Sequence, residues 1–341
     1  MNIKEIAEKA NVSKSAVSIA LNNKSGISDA TREKILAIVK ETGYRHRSMV
    51  DIEKVFGEKK ILRLLACNKA DIYLQYATSS FFTDLIHCIE KHAKEFGYAL
   101  VFSTIDIEVL EEEIIELEKR HPSDGIILLA TNLNNEEIDL VSKVQKNILV
   151  LDNFMEFYDR NVVVMDNIMG AFEAVSYLVG IGHRKIGYVR SSVRLANFDQ
   201  RKEGFDKALK HFDINAFDYD FTVNFYKENA KEQLEAQINE NEGNLPTALF
   251  CECDYIAIDL IKALKQTGYK IPEDISVIGF DNVTESSVVS PELTTVNVFK
   301  DKMAELAVKN LLKAINDGNH VKTKSVVNTE LIIRNSCAPV E

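Results

Sequence analysis

Residues 11–23 read NVSKSAVSIALNN, and this stretch predicts a tight turn followed by a helix. Before it, apolar residues recur at the i, i+3, i+4, i+7 spacing of one helix face, at Ile3, Ile6, Ala7 and Ala10. Ser13 is placed to cap a second helix, from Lys14 to Leu21, by accepting a hydrogen bond from a backbone N–H. At about 100° per residue, Val17, Ala20 and Leu21 share the inner face, and the outer face carries Ser15, Ser18 and Ile19. Two short helices joined by a turn are therefore expected.

A third helix is expected after the loop NNKSG, with Ser28 at its start and Gly43 as its C-cap. Its inner face carries Ile35, Ile38 and Val39. Three helices with a tight turn between the first two are the geometry that places the second helix in the DNA major groove. Outward serine hydroxyls then bond phosphates or base edges, and Lys14 reaches a phosphate or a guanine. The alternative is a small helical cap or dimerisation module that binds no DNA.

Charge is unevenly placed along the 341 residues, whose formal net charge is −11. Residues 1–50 hold nine Lys or Arg and five Asp or Glu, a net of +4, which leaves −15 for residues 51–341. This split favours a nucleic-acid-binding head on an acidic body. An apolar content of 46% is enough for a large core and two or more domains. Neither a run of 18 apolar residues nor a signal-peptide pattern is present, so a cytoplasmic location is expected.

Patterns of enzymes and metal sites are missing from the sequence. The five cysteines are few and lie mostly in apolar runs, which predicts reduced, buried thiols without a disulfide. Cys251 and Cys253 form an isolated C-x-C, and no second Cys or His pair completes a zinc site. The chain has no G-x-G-x-x-G or G-x-x-x-x-G-K-[ST] phosphate loop, no G-x-S-x-G and no H-E-x-x-H. We expect neither an enzyme nor a cofactor or metal.

Beyond residue 60, short apolar runs alternate with helical stretches. Ten runs have strand length, namely ILRLLAC, YALVFST, DGIILLA, NILVLD, VVVMD, KIGYVRS, FTVNF, TALFCEC, ISVIGF and TELIIR. Helical segments such as GAFEAVSYLVGIG lie between most of them, and this alternation predicts an α/β fold with two parallel sheets covered by helices. Ligands of such sheets bind at the carboxyl ends of the strands, so the cleft between two lobes is the expected site.

The segment IKEIAEKANVSKSAVSIALNNKSGISDATREKILAIVKETGY resembles the DNA-binding head of the LacI/GalR transcriptional regulators. It departs from the family pattern at Ala16 and Ile19, where Thr and Arg are common, so a different operator is expected. The resemblance continues through VVVMDNIMGAFEAVSYLVGIGHRKIGYV, PTALFCECDYIAIDLIKALKQTGYKIPEDISVIGFDN and TELIIRNS. It implies a two-lobed core with the fold of periplasmic sugar-binding proteins, in which the chain crosses between the lobes three times.

The resemblance also implies the domain limits. A helix-turn-helix head occupies residues 1–46, a hinge or linker residues 47–60, and an effector-binding and dimerisation core residues 61–341. Within the core, lobe one is expected at about 61–161 and 293–323, and lobe two at about 162–292 and 324–341.

Seven residues are candidates for the effector site, and five of them match the family's effector-binding positions. Arg201 matches a cleft arginine whose fork of donors suits sugar hydroxyls or a carboxylate, and Asp281 matches an aspartate that accepts from ligand hydroxyls. Phe81, Phe82 and Phe225 match aromatic positions of the pocket, although an aromatic residue at a helix start is more often in the core. Asp152 and Asn197 are expected at the rim. Two departures, Cys253 for Asn and Val298 for Gln, indicate that the effector differs from those of the best-known relatives.

The resemblance implies a repressor of carbohydrate-utilisation genes, controlled by a sugar or sugar phosphate. It implies a homodimer on a near-palindromic operator, which doubles the surface of one short head. The expected DNA-binding residues are Ser13, Lys14, Ser15, Ser18, Ile19 and Asn22. A nucleobase is the alternative effector, and the alternative function is a solute-binding sensor with weakened DNA recognition.

The linker YRHRSMVDIEKVFGEKK departs from the family's hinge pattern P-N-x-x-A-R-x-L, whose leucine enters the minor groove. In the same register His46 replaces the proline, Asp51 the arginine and Glu53 the leucine, and a carboxylate there repels DNA. A helical apolar stripe remains at Met49, Ile52, Val55 and Phe56, which provides either a shifted wedge or a contact between two linkers. We expect the linker not to intercalate and the operator to be bent only weakly.

Overall fold

The structure is a computed structural model that describes residues 3–21, 26–28, 31–32, 34–35, 38–39, 60–69, 79–154, 159–215, 220–318 and 321–340. Its two compact units are residues 1–59, which contain the head, and residues 60–341, which form the core. Asn22 and the hinge expected at residues 47–60 lie outside the described residues, except for Lys60. The linker positions His46, Met49, Asp51, Ile52, Glu53, Val55 and Phe56 therefore lie outside them as well.

The head contains the helices that the apolar spacing predicts. Helix α1 spans Ile3–Ala10 and α2 spans Lys14–Leu21. Ser13 Oγ accepts a hydrogen bond from the Ala16 N–H at 3.1 Å, and Ser28 Oγ accepts one from the Thr31 N–H at 3.3 Å, so both predicted N-caps are confirmed. Residues 31, 32, 34, 35, 38 and 39 are helical. Among the residues described, its small core contains Ile6, Ala7, Ala10, Val17, Ala20 and Ile35.

The core unit contains twelve strands and eight helices among its described residues, in a largely alternating order. In chain order they are β1 (Lys60–Asn68), α3 (Ser80–Glu95), β2 (Tyr98–Asp106), α4 (Leu110–Arg120), β3 (Gly125–Leu129), α5 (Asn135–Val144), β4 (Ile148–Leu151), β5 (Asn161–Met165), α6 (Asn167–Gly180), β6 (Ile186–Ser191), α7 (Ala196–His211), β7 (Phe221–Val223), α8 (Ala230–Glu240), β8 (Ala248–Cys251), α9 (Asp254–Gln266), β9 (Ser276–Asp281), β10 (Thr294–Val298), α10 (Lys300–Asn316), β11 (Lys324–Val327) and β12 (Thr329–Ile332).

These strands form two six-stranded sheets, one in each lobe. The first sheet has the order β11-β5-β4-β3-β1-β2 and the second β12-β10-β9-β8-β6-β7. Every pairing is parallel except that of β12 with β10. Strands β3, β4, β5, β8 and β9 are buried along their whole length, as expected for continuous apolar runs between two helical layers. The predicted α/β architecture with two parallel sheets is confirmed.

The lobe boundaries differ from those expected. The strand at 161–165 pairs with β4 and β11, and therefore belongs to lobe one, whereas the boundary after residue 161 gave most of it to lobe two. Strand β10 pairs with β9 and β12 in lobe two, and β11 pairs with β5 in lobe one, the reverse of the expected assignment. The chain changes lobe at residues 166, 299 and 328, because each strand completes its hydrogen bonds with one sheet before the chain crosses.

Helices α6 and α7 pack closely at Gly204. Both belong to lobe two and flank the cleft. A Cβ on Gly204 of α7 would lie 2.2 Å from the carbonyl oxygen of Ile168 on α6, so only glycine fits there.

None of the described helices is both long and apolar enough to cross a bilayer.

Candidate functional site

The outer surface of α2 carries the expected DNA contacts. Lys14 and Ser15 are exposed at the start of this helix, next to the capping Ser13. Ser18 and Ile19 are half-buried. The Cδ1 atom of Ile19 lies 3.6 Å from the point that a Cβ on Gly26 would occupy, so Ile19 packs partly against the following loop and faces outward less than expected. The α2 surface is therefore small and polar, with one positive charge at its N-terminal end.

The cleft between the two lobes of the core contains a cavity at the carboxyl ends of the strands. All seven residues expected at an effector site line it: Phe81, Phe82, Asp152, Asn197, Arg201, Phe225 and Asp281. Nine further residues complete its wall, namely Ser79, Thr131, Asn132, Met165, Leu195, Phe198, Tyr226, Cys253 and Tyr255. The structure thus brings the seven positions together in one place, and their role in binding remains a prediction.

The two cavity carboxylates stand where the chain leaves a strand in an unusual backbone conformation. Asp152 directly follows β4 with a φ of 66°, and Asp281 ends β9 with a φ of 112°. Positive φ is costly for residues other than glycine, and such residues concentrate at functional sites because the surrounding fold must hold them in place. Both carboxylates are therefore held in position by the backbone as well as by their partners.

Arg201, on α7, is fixed by three partners and a ring. Its guanidinium donates to Asp281 Oδ1 at 2.9 Å, to the Glu252 carbonyl at 2.6 Å and to Asn167 Oδ1 at 3.0 Å. It also lies 3.8 Å from the centroid of the Phe280 ring. Burial raises the pKa of Asp281, and the nearby Arg201 opposes that shift. The second oxygen of Asp281, Oδ2, accepts no hydrogen bond from any residue that the structure describes.

Asp152 joins the two lobes across the cavity. Its Oδ2 accepts from the Thr131 hydroxyl of lobe one at 2.5 Å, and its Oδ1 accepts from Asn197 Nδ2 of lobe two at 2.8 Å. Asn197 in turn accepts from Asn167, which holds Arg201. Burial raises the pKa of Asp152 to about 6, against the lowering effects of Thr131 and Arg201. A continuous hydrogen-bond network therefore runs from lobe one through Asp152 to Asp281.

Aromatic rings form much of the remaining wall. Phe81 and Phe82 meet edge to face at 5.3 Å between centroids, at the start of α3. On the side of lobe two, Phe198 and Phe225 lie 6.1 Å apart and Phe225 and Tyr226 lie 4.2 Å apart. Ring faces beside a carboxylate and a guanidinium suit a ligand with an apolar face and polar edges.

A buried aspartate holds the end of β9, from which Asp281 projects. Asp254 accepts from the Val283 N–H at 2.9 Å and from the Thr295 hydroxyl at 2.5 Å. A Cβ on Gly279 would lie 2.2 Å from Asp254 Oδ1, so this carboxylate needs the glycine. Burial, together with the charge of Asp281, raises the pKa of Asp254 to about 8. The strand end beside the cavity is therefore fixed by packing and hydrogen bonds.

The sequence reasoning missed residues that share a simple pattern. Thr131, Tyr226 and Tyr255 lie two to four positions beyond the ends of β3, β7 and β8. Residues just past the carboxyl ends of parallel strands meet at one edge of a sheet, and that rule could have added them.

Among the described residues, no group of three or more His, Cys, Asp or Glu could hold a metal ion.

Comparison with known proteins shows which families this chain resembles. Residues 2–46 match the family described as bacterial regulatory proteins, lacI family, and residues 175–337 match the periplasmic binding protein-like domain. The chain is thus similar to the LacI family of regulators in its head and to periplasmic binding protein-like domains in its core. It is 26% identical over 344 residues to the HTH-type transcriptional repressor PurR of Photobacterium profundum, with 98% of each chain covered. Its two matched parts are those of a DNA-binding transcriptional regulator with an effector-binding core, and the relatives it matches are regulators, not enzymes.

Two solved structures share the fold of this chain. The Lac repressor dimer bound to operator and the anti-inducer ONPF aligns with a TM-score of 0.71 and 24% identity, covering 99% of each chain. A LacI family transcriptional regulator from Enterococcus faecium with bound ribose aligns with a TM-score of 0.70 and 25% identity, covering 83% of this chain and 100% of that one. The predicted family and fold are confirmed.

Proposed function

We propose that this regulator represses carbohydrate-utilisation genes and that a sugar or sugar phosphate in the interlobe cavity controls its affinity for the operator. The observation that carries this proposal is the buried pair of Arg201 and Asp281 beside aromatic walls. Asp281 Oδ2 is available to accept from a hydroxyl, and the rings give an apolar face to a sugar ring. The Enterococcus faecium relative, whose structure has bound ribose, supports a sugar as the ligand.

A nucleobase is the second candidate effector. Phe198, Phe225 and Tyr226 offer ring faces on which a flat heterocycle stacks. The Asp281 and Arg201 pair presents an acceptor beside a donor, which matches the N–H and C=O edge of a base. The saturated ring of a sugar uses the same groups through its hydroxyls, so binding must be measured directly.

On the DNA side, we propose that a homodimer binds a near-palindrome through α2 of each head. Exposed Lys14 and Ser15 and the half-buried Ser18 are the readers, with Ser13 holding the helix start. Support comes from the Lac repressor neighbour, which is a dimer bound to operator. Ile19 and Asn22 remain proposed contacts.

Calorimetry of the full chain tests the effector proposal. Neutral sugars, sugar phosphates and nucleobases are titrated into the wild type, Arg201→Lys and the control Arg120→Lys. The side chain of Arg120 is 69% exposed and paired with Glu116. A sugar is expected to bind the wild type and the control equally, and Arg201→Lys to bind it roughly 10- to 100-fold more weakly because the planar fork is lost. Binding of nucleobases alone favours the second candidate, and equal binding by Arg201→Lys removes Arg201 from the site.

A further inference from the structure

The N-terminus of α3, in lobe one, faces the cleft. A side chain from lobe two occupies the position next to it. This helix has 16 residues, and its preceding Ser79 makes no side-chain cap. Free N–H groups at the start of such a helix attract anions such as phosphate. Here the hydroxyl of Tyr255, on α9 of lobe two, accepts from the Ser80 N–H at 3.0 Å. It also lies 3.0 Å from Ser79 Oγ and 3.2 Å from Ser80 Oγ. The neutral phenol of Tyr255 therefore occupies the position at which an anion would bind.

A carboxylate from lobe two stands beside that phenol. Glu285 Oε2 accepts from Ser80 Oγ at 2.6 Å, so a negative charge lies at the start of α3. Burial raises the pKa of Tyr255, and Glu285 acts in the same direction, so the phenol stays protonated at neutral pH. An incoming phosphate would have to displace the phenol and approach the Glu285 carboxylate.

The charged residues of the cavity wall also disfavour a phosphorylated ligand. Its charged members are Arg201, Asp152 and Asp281, and Arg201 already donates to Asp281 at 2.9 Å. A second cation, Lys300, lies behind the wall at 5.4 Å from the Phe81 ring and 3.5 Å from Asp84. A dianion would therefore meet two carboxylates and a guanidinium whose charge is already balanced, whereas a neutral hydroxyl can donate to Asp281 Oδ2.

From these contacts we propose that the cleft selects neutral ligands over their phosphorylated forms, and that Tyr255 and Glu285 enforce the selection by blocking the N-terminus of α3. This inference rests on the proposed function for its sugar ligand and narrows the class of effector. Tyr255 and Glu285 are specificity-determining residues that sequence comparison with the family did not single out.

Inorganic phosphate is the probe that tests the blocking. Thermal unfolding of the full chain is followed in phosphate and in chloride of equal ionic strength and pH. The wild type is expected to show no saturable phosphate effect. In Tyr255→Phe/Glu285→Gln, the Ser80 N–H and the Ser79 hydroxyl lose the phenol oxygen and the negative charge beside them is removed, and a saturable rise of roughly 2–3 °C at tenfold excess over Kd is expected. The matched control is Tyr269→Phe/Glu273→Gln, which changes the same residue types outside the cavity.

The possible results separate this inference from the proposed function. Saturable phosphate binding by the wild type, or a double variant that responds like the control, overturns the blocking by Tyr255 and Glu285.

In a second experiment, each neutral sugar is compared with its phosphate by calorimetry on the wild type, and at least tenfold tighter binding of the neutral form is expected. Tighter binding of a sugar phosphate also overturns the inference. If no sugar of either kind binds, the sugar effector fails, and the phosphate experiment still decides the inference.

Discussion

Asp152 couples protonation to the stability of the core. Its pKa is raised by burial from 3.8 to about 6, so the folded protein binds this proton more tightly than the unfolded chain does. The resulting stabilisation is complete below about pH 4 and is lost as the pH rises through about 6. Replacement by Asn removes the titration and keeps the shape of the side chain.

We expect the free energy of unfolding of the wild type, relative to Asp152→Asn, to fall by about 2–3 kcal/mol between pH 4 and pH 7. Urea unfolding of both proteins at several pH values in this window measures the difference. Asp317→Asn, which changes an exposed carboxyl, serves as the control. Parallel pH profiles for wild type and Asp152→Asn would show that the Asp152 carboxyl titrates normally.

Single residues of the cavity were predictable where a chain motif marks them, and pairs across the cleft were not. Arg201 and Asp281 lie in recognisable segments, and the structure places them 2.9 Å apart. The contact of Tyr255 with Ser80 joins positions 175 residues apart in different lobes, and the relative placement of the lobes decides it. Neither apolar spacing nor local propensity carries that information.

The close approach of α6 and α7 at Gly204 can be tested by substitution. Gly204→Ala places a methyl group 2.2 Å from the backbone oxygen of Ile168, and the backbone cannot yield as a flexible side chain would. We expect a loss of about 2–3 kcal/mol in the free energy of unfolding, measured by urea unfolding. Gly180→Ala, at the end of α6, has no atom within 4 Å of the new methyl group and is expected to be neutral or stabilising by up to about 1 kcal/mol. Equal stabilities of the two variants would rule out the close helix approach.

Helix α2 gives a second test, in the head. Lys14→Ala and Ser18→Ala remove polar groups from its outer surface, and each is expected to weaken operator binding roughly tenfold while the effector affinity is unchanged. Fluorescence anisotropy on an operator selected from random DNA measures this loss. Lys34→Ala is the charge-matched control, because Lys34 is exposed on the third helix. If Lys14→Ala binds operator no more weakly than Lys34→Ala, α2 is not the reading helix.

The sequence predicted ten of the twelve described strands, and the two it missed are instructive. Strand β10 reads TTVNV and β11 reads KSVV, so neither is a long apolar run. Strand β11 lies at a sheet edge and is largely exposed, which removes the pattern of burial that marks a central strand. Both lie next to lobe crossings, at residues 299 and 328, where the boundaries implied by the resemblance were set too early.

In the core as a whole, the cavity that we propose to bind the effector is shared by two lobes that the chain connects three times. Asp152 and Tyr255 each form hydrogen bonds across the cleft, so a ligand that changes these contacts changes the relative stability of lobe arrangements. Linkage then requires that effector and operator affect each other's affinity by the same factor. Whether the effector releases or promotes DNA binding depends on which arrangement it favours.

Operator affinity with and without effector is the most direct test of this regulation. Anisotropy titrations on a selected operator are made with wild type and Asp281→Ala, in the absence of the ligand identified by calorimetry and at its saturating concentration for the wild type. We expect the ligand to change the operator Kd of the wild type by at least about fivefold, and that of Asp281→Ala by much less. The two proteins are expected to bind operator equally in its absence. An operator Kd that is the same with and without a ligand bound in the cleft would contradict control of DNA binding through this site.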